Sequence, residues 1–203
     1  MNEGLSFTFI LTNSAVYRNF VQKEIMDQLS ATHPSTVFSF CPHCGFKGFK
    51  YDSVKAFQCS QCGFKFYINA ATAIAAILVD PLGNIVLTRR KNEPRAGMFD
   101  LPGGFVDKME RVEDAVKREI REELGIEITV MQYLTSYANE YVYRGISYFT
   151  CDLAFVCPIE DSSKLTPSDD VSEAMVIKPR EVDFTTISFP SIVNILKTYF
   201  NQL

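Results

Sequence analysis

Residues 104–126 read GFVDKMERVEDAVKREIREELGI. The window 112–124 inside it holds strong helix formers and neither Gly nor Pro, so it is predicted to be a helix. Gly125 stands where a helix-ending glycine belongs. On that helix Glu119, Glu122 and Glu123 fall at i, i+3 and i+4, which puts three carboxylates on one face. Val112, Ala115, Val116, Ile120 and Leu124 form the apolar stripe that faces a core. Three like charges on adjacent turns repel. A hard divalent cation relieves that repulsion, and Mg²⁺ is held by carboxylate oxygens, water and phosphates. A solvated acidic helix face explains Glu122 and Glu123 taken alone, but not the whole pattern of which they are part.

That pattern is Gly104, Glu110 and then Arg118-Glu119-Ile120-Arg121-Glu122-Glu123-Leu124-Gly125-Ile126. It resembles the Nudix box, Gly-x5-Glu-x7-Arg-Glu-U-x-Glu-Glu-x-Gly-U with U a bulky aliphatic, at every specified position. The resemblance implies an α/β/α sandwich and hydrolysis of a diphosphate linked to another group, with Mg²⁺ or Mn²⁺ as cofactor. It implies that Glu119, Glu122 and Glu123 bind metal and that Glu122 or Glu123 also serves as base. It further implies that Arg118 pairs with Glu110 and that the carbonyl of Gly103 or Gly104 is a backbone ligand. In the lead-in, Leu101-Pro102-Gly103-Gly104, paired glycines let the backbone approach a ligand closely. A distal acid, Glu173, is a further metal-ligand candidate, weighed against an ordinary surface Glu at a strand start.

The chain has 203 residues and six cysteines. Cys41-Pro42-His43-Cys44-Gly45 and Cys59-Ser60-Gln61-Cys62-Gly63 are two Cys-x2-Cys-Gly knuckles. Four thiolates so spaced read as a structural tetrahedral zinc site, a zinc ribbon. A redox dithiol or a pair of disulfides is the competing reading, and a reducing cytosol disfavours the latter. Cys151 and Cys157 read as small buried hydrophobes. His33 and His43 have no evident partner and receive no role.

Around these motifs the expected order is an N-terminal helical segment (1–37, with a helix over 14–29), a zinc ribbon (38–68) and a catalytic domain (69–203). In the last, strands are expected over 71–79, 85–88, 127–137, 145–156 and 173–177. The first two form a hairpin about the Asp80-Pro81-Leu82-Gly83-Asn84 turn. A final helix opens at Pro190 and runs to 200. The fold class is α+β with a mixed sheet. With the ribbon added, the layout is similar to zinc-ribbon Nudix hydrolases, including NADH pyrophosphatases. Their downstream Ser-Gln-Pro-Trp-Pro-Phe-Pro signature is missing, since the chain has no Trp.

Net charge is −4, which argues against a general nucleic-acid binder, although the ribbon itself is locally basic with Lys47, Lys50, Lys55 and Lys65. The expected partner is a nucleotide small molecule such as NADH, NAD or ADP-ribose. Arg89 and Arg90 are candidates for its phosphates, and Tyr141 and Tyr143 for stacking on its base. Solvated loop arginines and sheet-packing tyrosines are the plainer alternatives. No stretch is long and apolar enough to span a membrane, and the apolar 5–11 lacks the flanks of a signal peptide. A cytoplasmic protein is expected, with a homodimer through the ribbon implied by the resemblance. Competing with hydrolysis are a nucleotide sensor without turnover and an RNA-directed protein gripping its ligand by the ribbon.

Overall fold

The computed structural model describes residues 30–51 and 55–203, so the helix expected over 14–29 lies outside the described residues. The chain divides into two compact units, Met1–Ile68 and Asn69–Leu203. In the first, β1 (Phe49–Tyr51), β2 (Ala56–Cys59) and β3 (Lys65–Tyr67) form an antiparallel sheet. Its core is small: Cys41, Phe49, Phe57 and Cys59 are buried, with Tyr51, Phe64 and Ile68 packed around them. The two knuckles are built alike. The Gly45 amide bonds to the Cys41 carbonyl and the Gly63 amide to the Cys59 carbonyl, each glycine at φ 74°.

The second unit is a mixed sheet between two helices. Its strands are β4 (Ala71–Val79), β5 (Ile85–Arg90), β6 (Phe99–Asp100), β7 (Gln132–Tyr143), β8 (Ile146–Pro158) and β9 (Val171–Ile177). The order is β6-β5-β4-β8-β7, with β9 also paired to β5. β4 and β8 run parallel, and the remaining pairs are antiparallel. The helices are α1 (Val112–Leu124) and α2 (Pro190–Phe200). β4 is central and apolar on both faces, as a doubly covered strand must be. Ile74, Ala76 and Leu78 pack against Ala115, Val116, Ile120 and Leu124 of α1. Ala75 and Ile77 face Ile192, Ile195, Leu196 and Tyr199 of α2.

Three departures from the sequence expectations have physical causes. The hairpin closes only at its turn, where Val79 pairs with Ile85. The Asp80 carboxylate fixes that turn by accepting from the Leu82 and Asn84 amides at 2.9 Å. β5 then leaves to pair with β9, and residues 102–106 take the freed edge of β4. The alternation at 126–130 is not a strand. Ile126, Ile128 and Met131 pack into the α1 core from a loop, and β7 starts only at Gln132. β7 and β8 meet at a two-residue turn, Arg144 and Gly145, both at positive φ, which suits a tight hairpin.

α1 matches the expected bounds, and Gly125 ends it in the left-handed conformation at φ 71°. Its last carbonyls are capped from afar. The Thr166 amide bonds to the Leu124 carbonyl, the Ser168 amide to that of Glu123, and the Ser168 hydroxyl to that of Glu122. Ile120 is fully buried between this helix and the sheet. Ile120→Ala is expected to cost about 2–5 kcal/mol through lost contacts and a residual cavity. Urea unfolding should show a lower midpoint at unchanged slope.

Candidate active site

Residues 101–106 bring the helix-borne carboxylates to the sheet. The Pro102 and Gly104 carbonyls accept from the Ala76 and Ile74 amides, both at 2.8 Å, and the Val106 amide donates to the Thr72 carbonyl at 3.0 Å. Gly103 sits at φ 146°, with the Ile74 carbonyl oxygen where a Cβ would go. A Cβ on Gly104 would lie 2.6 Å from Glu119 Oε1. Gly103 is therefore demanded by close approach to backbone, whereas a side chain at Gly104 would displace the Glu119 carboxylate. The Gly104 carbonyl is taken by β4, whereas among the described residues no backbone amide donates to the Gly103 carbonyl.

Arg118 is the hub of the box. It grips Glu110 through Nε and Nη2, both at 2.8 Å, which is a bidentate pair. Its Nη1 donates to Glu119 at 2.7 Å and Glu122 at 3.1 Å, and its Nη2 to the Phe105 carbonyl at 3.0 Å. The Glu110 carboxylate also accepts from the Asp107 amide. These bonds, with Arg118 foremost, hold Glu110 down to about 2. The expected Arg118–Glu110 pair thus also ties the loop to the helix.

The three metal-candidate glutamates differ. Glu122 is 44% exposed, and Glu119 is largely covered, so burial raises its pKa. Glu123 is only 6% exposed, at the border of the apolar stripe rather than opposite it. One of its oxygens accepts from the Gly103 amide at 2.9 Å. Burial pushes Glu123 up to about 8, and the charges of Glu119, Asp100 and Asp170 add to the effect. The carboxylates are spread around Arg118 rather than converged, as like charges with one guanidinium among them should be. The donor set, hard oxygens around an acid that burial keeps from ionising, fits a divalent cation.

A cavity of about 340 Å³ opens beside this cluster. Gly103, Gly104, Arg90, Tyr141 and Tyr143 line it, joined by Asp152 and Asp170, which the sequence did not single out. Arg90 is held by Asp100 at 3.0 Å and the Pro94 carbonyl at 2.9 Å, its guanidinium 5.1 Å from the Phe189 ring centre. Arg89 and Glu173 lie elsewhere on the β5–β9 pair, bonded to each other at 2.7 Å, with Arg89 also on the Gly97 carbonyl. Neither lines the cavity. Asp170 does, held by the Asn92 amide group at 2.7 Å. Only the loop that caps α1 brings it there, so no local sequence signal marked it. Tyr141 stands amid Phe105, Tyr148 and Phe189, with ring centres 5.6–6.1 Å away.

In the first unit Cys41, Cys44, Cys59 and Cys62 bring their four sulfurs within 4.8 Å of one another. Among the described residues this is the one group of acids, cysteines and histidines whose ligand atoms already converge so closely. The Cys62 amide, aimed at the Cys59 sulfur, holds that thiol down to about 7 against the opposing effect of burial. The cluster suits a soft-ligand metal site. Cys157 is fully buried, which pushes its thiol up to about 12 and fits a packing role.

Residues 70–194 match the NUDIX domain family, and the chain belongs to it. It is 33% identical over 97 residues to "NAD-capped RNA hydrolase NudC" of Pseudomonas aeruginosa, covering 48% of this chain and 34% of that protein. It is 42% identical over 76 residues to "ADP-ribose pyrophosphatase" of Methanocaldococcus jannaschii, covering 37% of this chain and 44% of that protein. The matched stretches thus span less than half the length of each of these two curated relatives. Its fold is that of the NUDIX domain of Shewanella oneidensis NrtR, solved in complex with ADP ribose. The TM-score is 0.57 at 17% identity, covering 67% of this chain and 90% of that one. Among the described residues no helix is long and apolar enough to cross a membrane.

Because the folded protein keeps the Glu123 proton up to about pH 8, it binds more protons than the unfolded chain between 4.5 and 8. Without divalent cation, stability is therefore expected to fall as pH rises through that window and to level off above it. Glu123→Gln should flatten the slope in thermal melts taken from pH 5 to 8.

Proposed function

We propose that this chain hydrolyses the diphosphate bond of a nucleoside-diphosphate-linked substrate, such as ADP-ribose, NAD or NADH, releasing a nucleoside monophosphate. The observation that carries this reading is the cluster of Glu119, Glu122 and buried Glu123 facing the Gly103–Gly104 backbone beside a nucleotide-sized, aromatic-walled cavity. The names of the two curated relatives support the same class of substrate.

The residues divide the work. Glu119, Glu122 and Glu123, with the free Gly103 carbonyl, would hold Mg²⁺ or Mn²⁺. Such an ion offsets phosphate charge and lowers the pKa of a bound water. Glu122 or Glu123 takes the proton of the attacking water as the P–O bridge breaks and the bridging oxygen leaves with one product. Arg118 and Glu110 fix the loop against the helix, so the glutamates meet the substrate in one geometry. Arg90, Tyr141 and Tyr143 line the substrate side. Asp170 occupies the place beside Glu123 expected of a distal acid, whereas Glu173 is committed to Arg89. The same reading includes a homodimer in the cytoplasm.

The test is a turnover screen with Mg²⁺ or Mn²⁺ over ADP-ribose, NAD, NADH, FAD, diadenosine polyphosphates, nucleoside triphosphates and an NAD-capped oligoribonucleotide, read by mass spectrometry. Glu122→Gln is expected to reduce turnover by roughly 10²- to 10⁴-fold with an unchanged melting curve. Full activity in the folded variant would sink the assignment. Nucleotide binding without turnover would move it to the sensor reading.

The four-cysteine cluster would hold one structural Zn²⁺. Purified protein should carry one zinc per chain, and Cys44→Ser should lose it. On zinc removal, hydrogen-exchange protection should fall across 38–67 before it falls in α1.

A further inference from the structure

Asp152 lies in the middle of β8, paired with Ala73 on one side and Tyr137 on the other. It is 6% exposed, yet it lines the cavity. Burying a carboxylate is costly unless its oxygens find donors. Here the one side-chain bond it makes among the described residues comes from the Thr150 hydroxyl, at 2.5 Å. Ionised, a carboxylate offers about four acceptor positions. Arg90, which also lines the cavity, directs Nη1 to Asp100 and Nε to the Pro94 carbonyl, and forms no hydrogen bond or ion pair with Asp152. A buried acceptor with unused capacity therefore faces the space a ligand would fill.

Its surroundings say which kind of ligand. Ala73 and Ala75 share the cavity floor, and their small side chains leave room above them. This is the α2 side of the sheet, since Ala75 packs with the α2 core and Ile74 with α1. Asp152 is thus set apart from the helix-borne glutamates. An anion on this floor repels phosphate, so it favours entry of the uncharged end of a nucleotide. Tyr141 and Phe189, 6.0 Å apart, supply the aromatic faces that suit a flat heterocycle. A carboxylate at the depth of such a pocket accepts from N–H groups.

We propose that Asp152, fixed by Thr150, reads the nucleobase by accepting a hydrogen bond from an exocyclic amino group, which favours an amino-bearing base such as adenine over its oxo counterpart hypoxanthine. This rests on the nucleoside-diphosphate reading above and names the feature of the substrate that the cavity recognises. The diphosphate then lies against the Gly103 and Gly104 backbone, which lines the same cavity. Asp152 is a specificity residue, remote from the bond that breaks.

The experiment compares calorimetric binding of ADP-ribose with that of its hypoxanthine counterpart, in which an oxygen replaces the amino group. It uses the full chain without added divalent cation, so no turnover is needed. The native protein should favour ADP-ribose roughly 10- to 100-fold, the range for a hydrogen bond to a charged group. Asp152→Asn, whose amide can donate to that oxygen, should erase or invert the preference. Thr150→Val, which frees the carboxylate, should shrink it several-fold and serves if Asp152→Asn fails to fold. Equal loss of both ligands in Asp152→Asn would overturn the proposal in favour of a ribose hydroxyl contact. Equal binding by the native protein, no binding of either ligand, or an unchanged preference in the variants would overturn it outright. The preference for ADP-ribose, together with no turnover in the Mg²⁺ and Mn²⁺ screen, would leave this inference standing and remove the hydrolase reading.

Discussion

The site depends on one short run of backbone pairing. Residues 102–106 lie along the edge of β4 through the Pro102, Gly104 and Val106 bonds. That edge is open only because β5 turns away after Val79–Ile85 to pair with β9. The pairing seats Gly103 against the Ile74 carbonyl, where no side chain fits, and Gly104 against the Glu119 carboxylate. From there the Gly103 amide reaches Glu123 at 2.9 Å, and the Phe105 carbonyl reaches Arg118 at 3.0 Å. Loop, helix and central strand are locked as one unit by these contacts.

The electrostatics of that unit are unbalanced. Glu119, Glu122 and Glu123 share one helix face with Arg118, whose guanidinium is already bound bidentately to Glu110. Asp100 and Asp170 add further negative charge around Glu123. Burial then pushes Glu123 up to about 8, so a proton replaces the countercharge the site lacks. A divalent cation would do the same work with the carboxylates ionised, and without one this arrangement of acids is no source of stability.

The cavity has two chemically distinct ends. At one end the wall is the Gly103–Gly104 backbone, whose Gly103 amide is bonded to Glu123 of the acid-bearing helix. The other holds Tyr141 and Phe189 above a floor of Ala73, Ala75, Thr150 and Asp152. A substrate with a charged middle and a flat heterocyclic end matches that polarity. Arg90, held by Asp100 and packed against the Phe189 ring, forms part of the cavity wall.

The sequence by itself determined the elements whose signals are local. The helix over 112–124, its Gly125 stop and the cysteine knuckles follow from spacing, because helix periodicity and turn glycines act over a few residues, whereas the Arg118–Glu110 pair was legible only through the Nudix resemblance. Tertiary structure decided what depends on distant partners. It buried Glu123, which spacing alone had placed on an open face. It committed Arg89 to Glu173, and through the 166–168 cap on α1 it brought Asp170 to the glutamates. It also made a loop of 126–131, whose apolar alternation looked like a strand, because that segment packs into the α1 core without a ladder partner. Asp152 carried no motif at all. Its meaning comes from its burial in the cavity floor, which only the pairing of β8 with β4 and β7 creates.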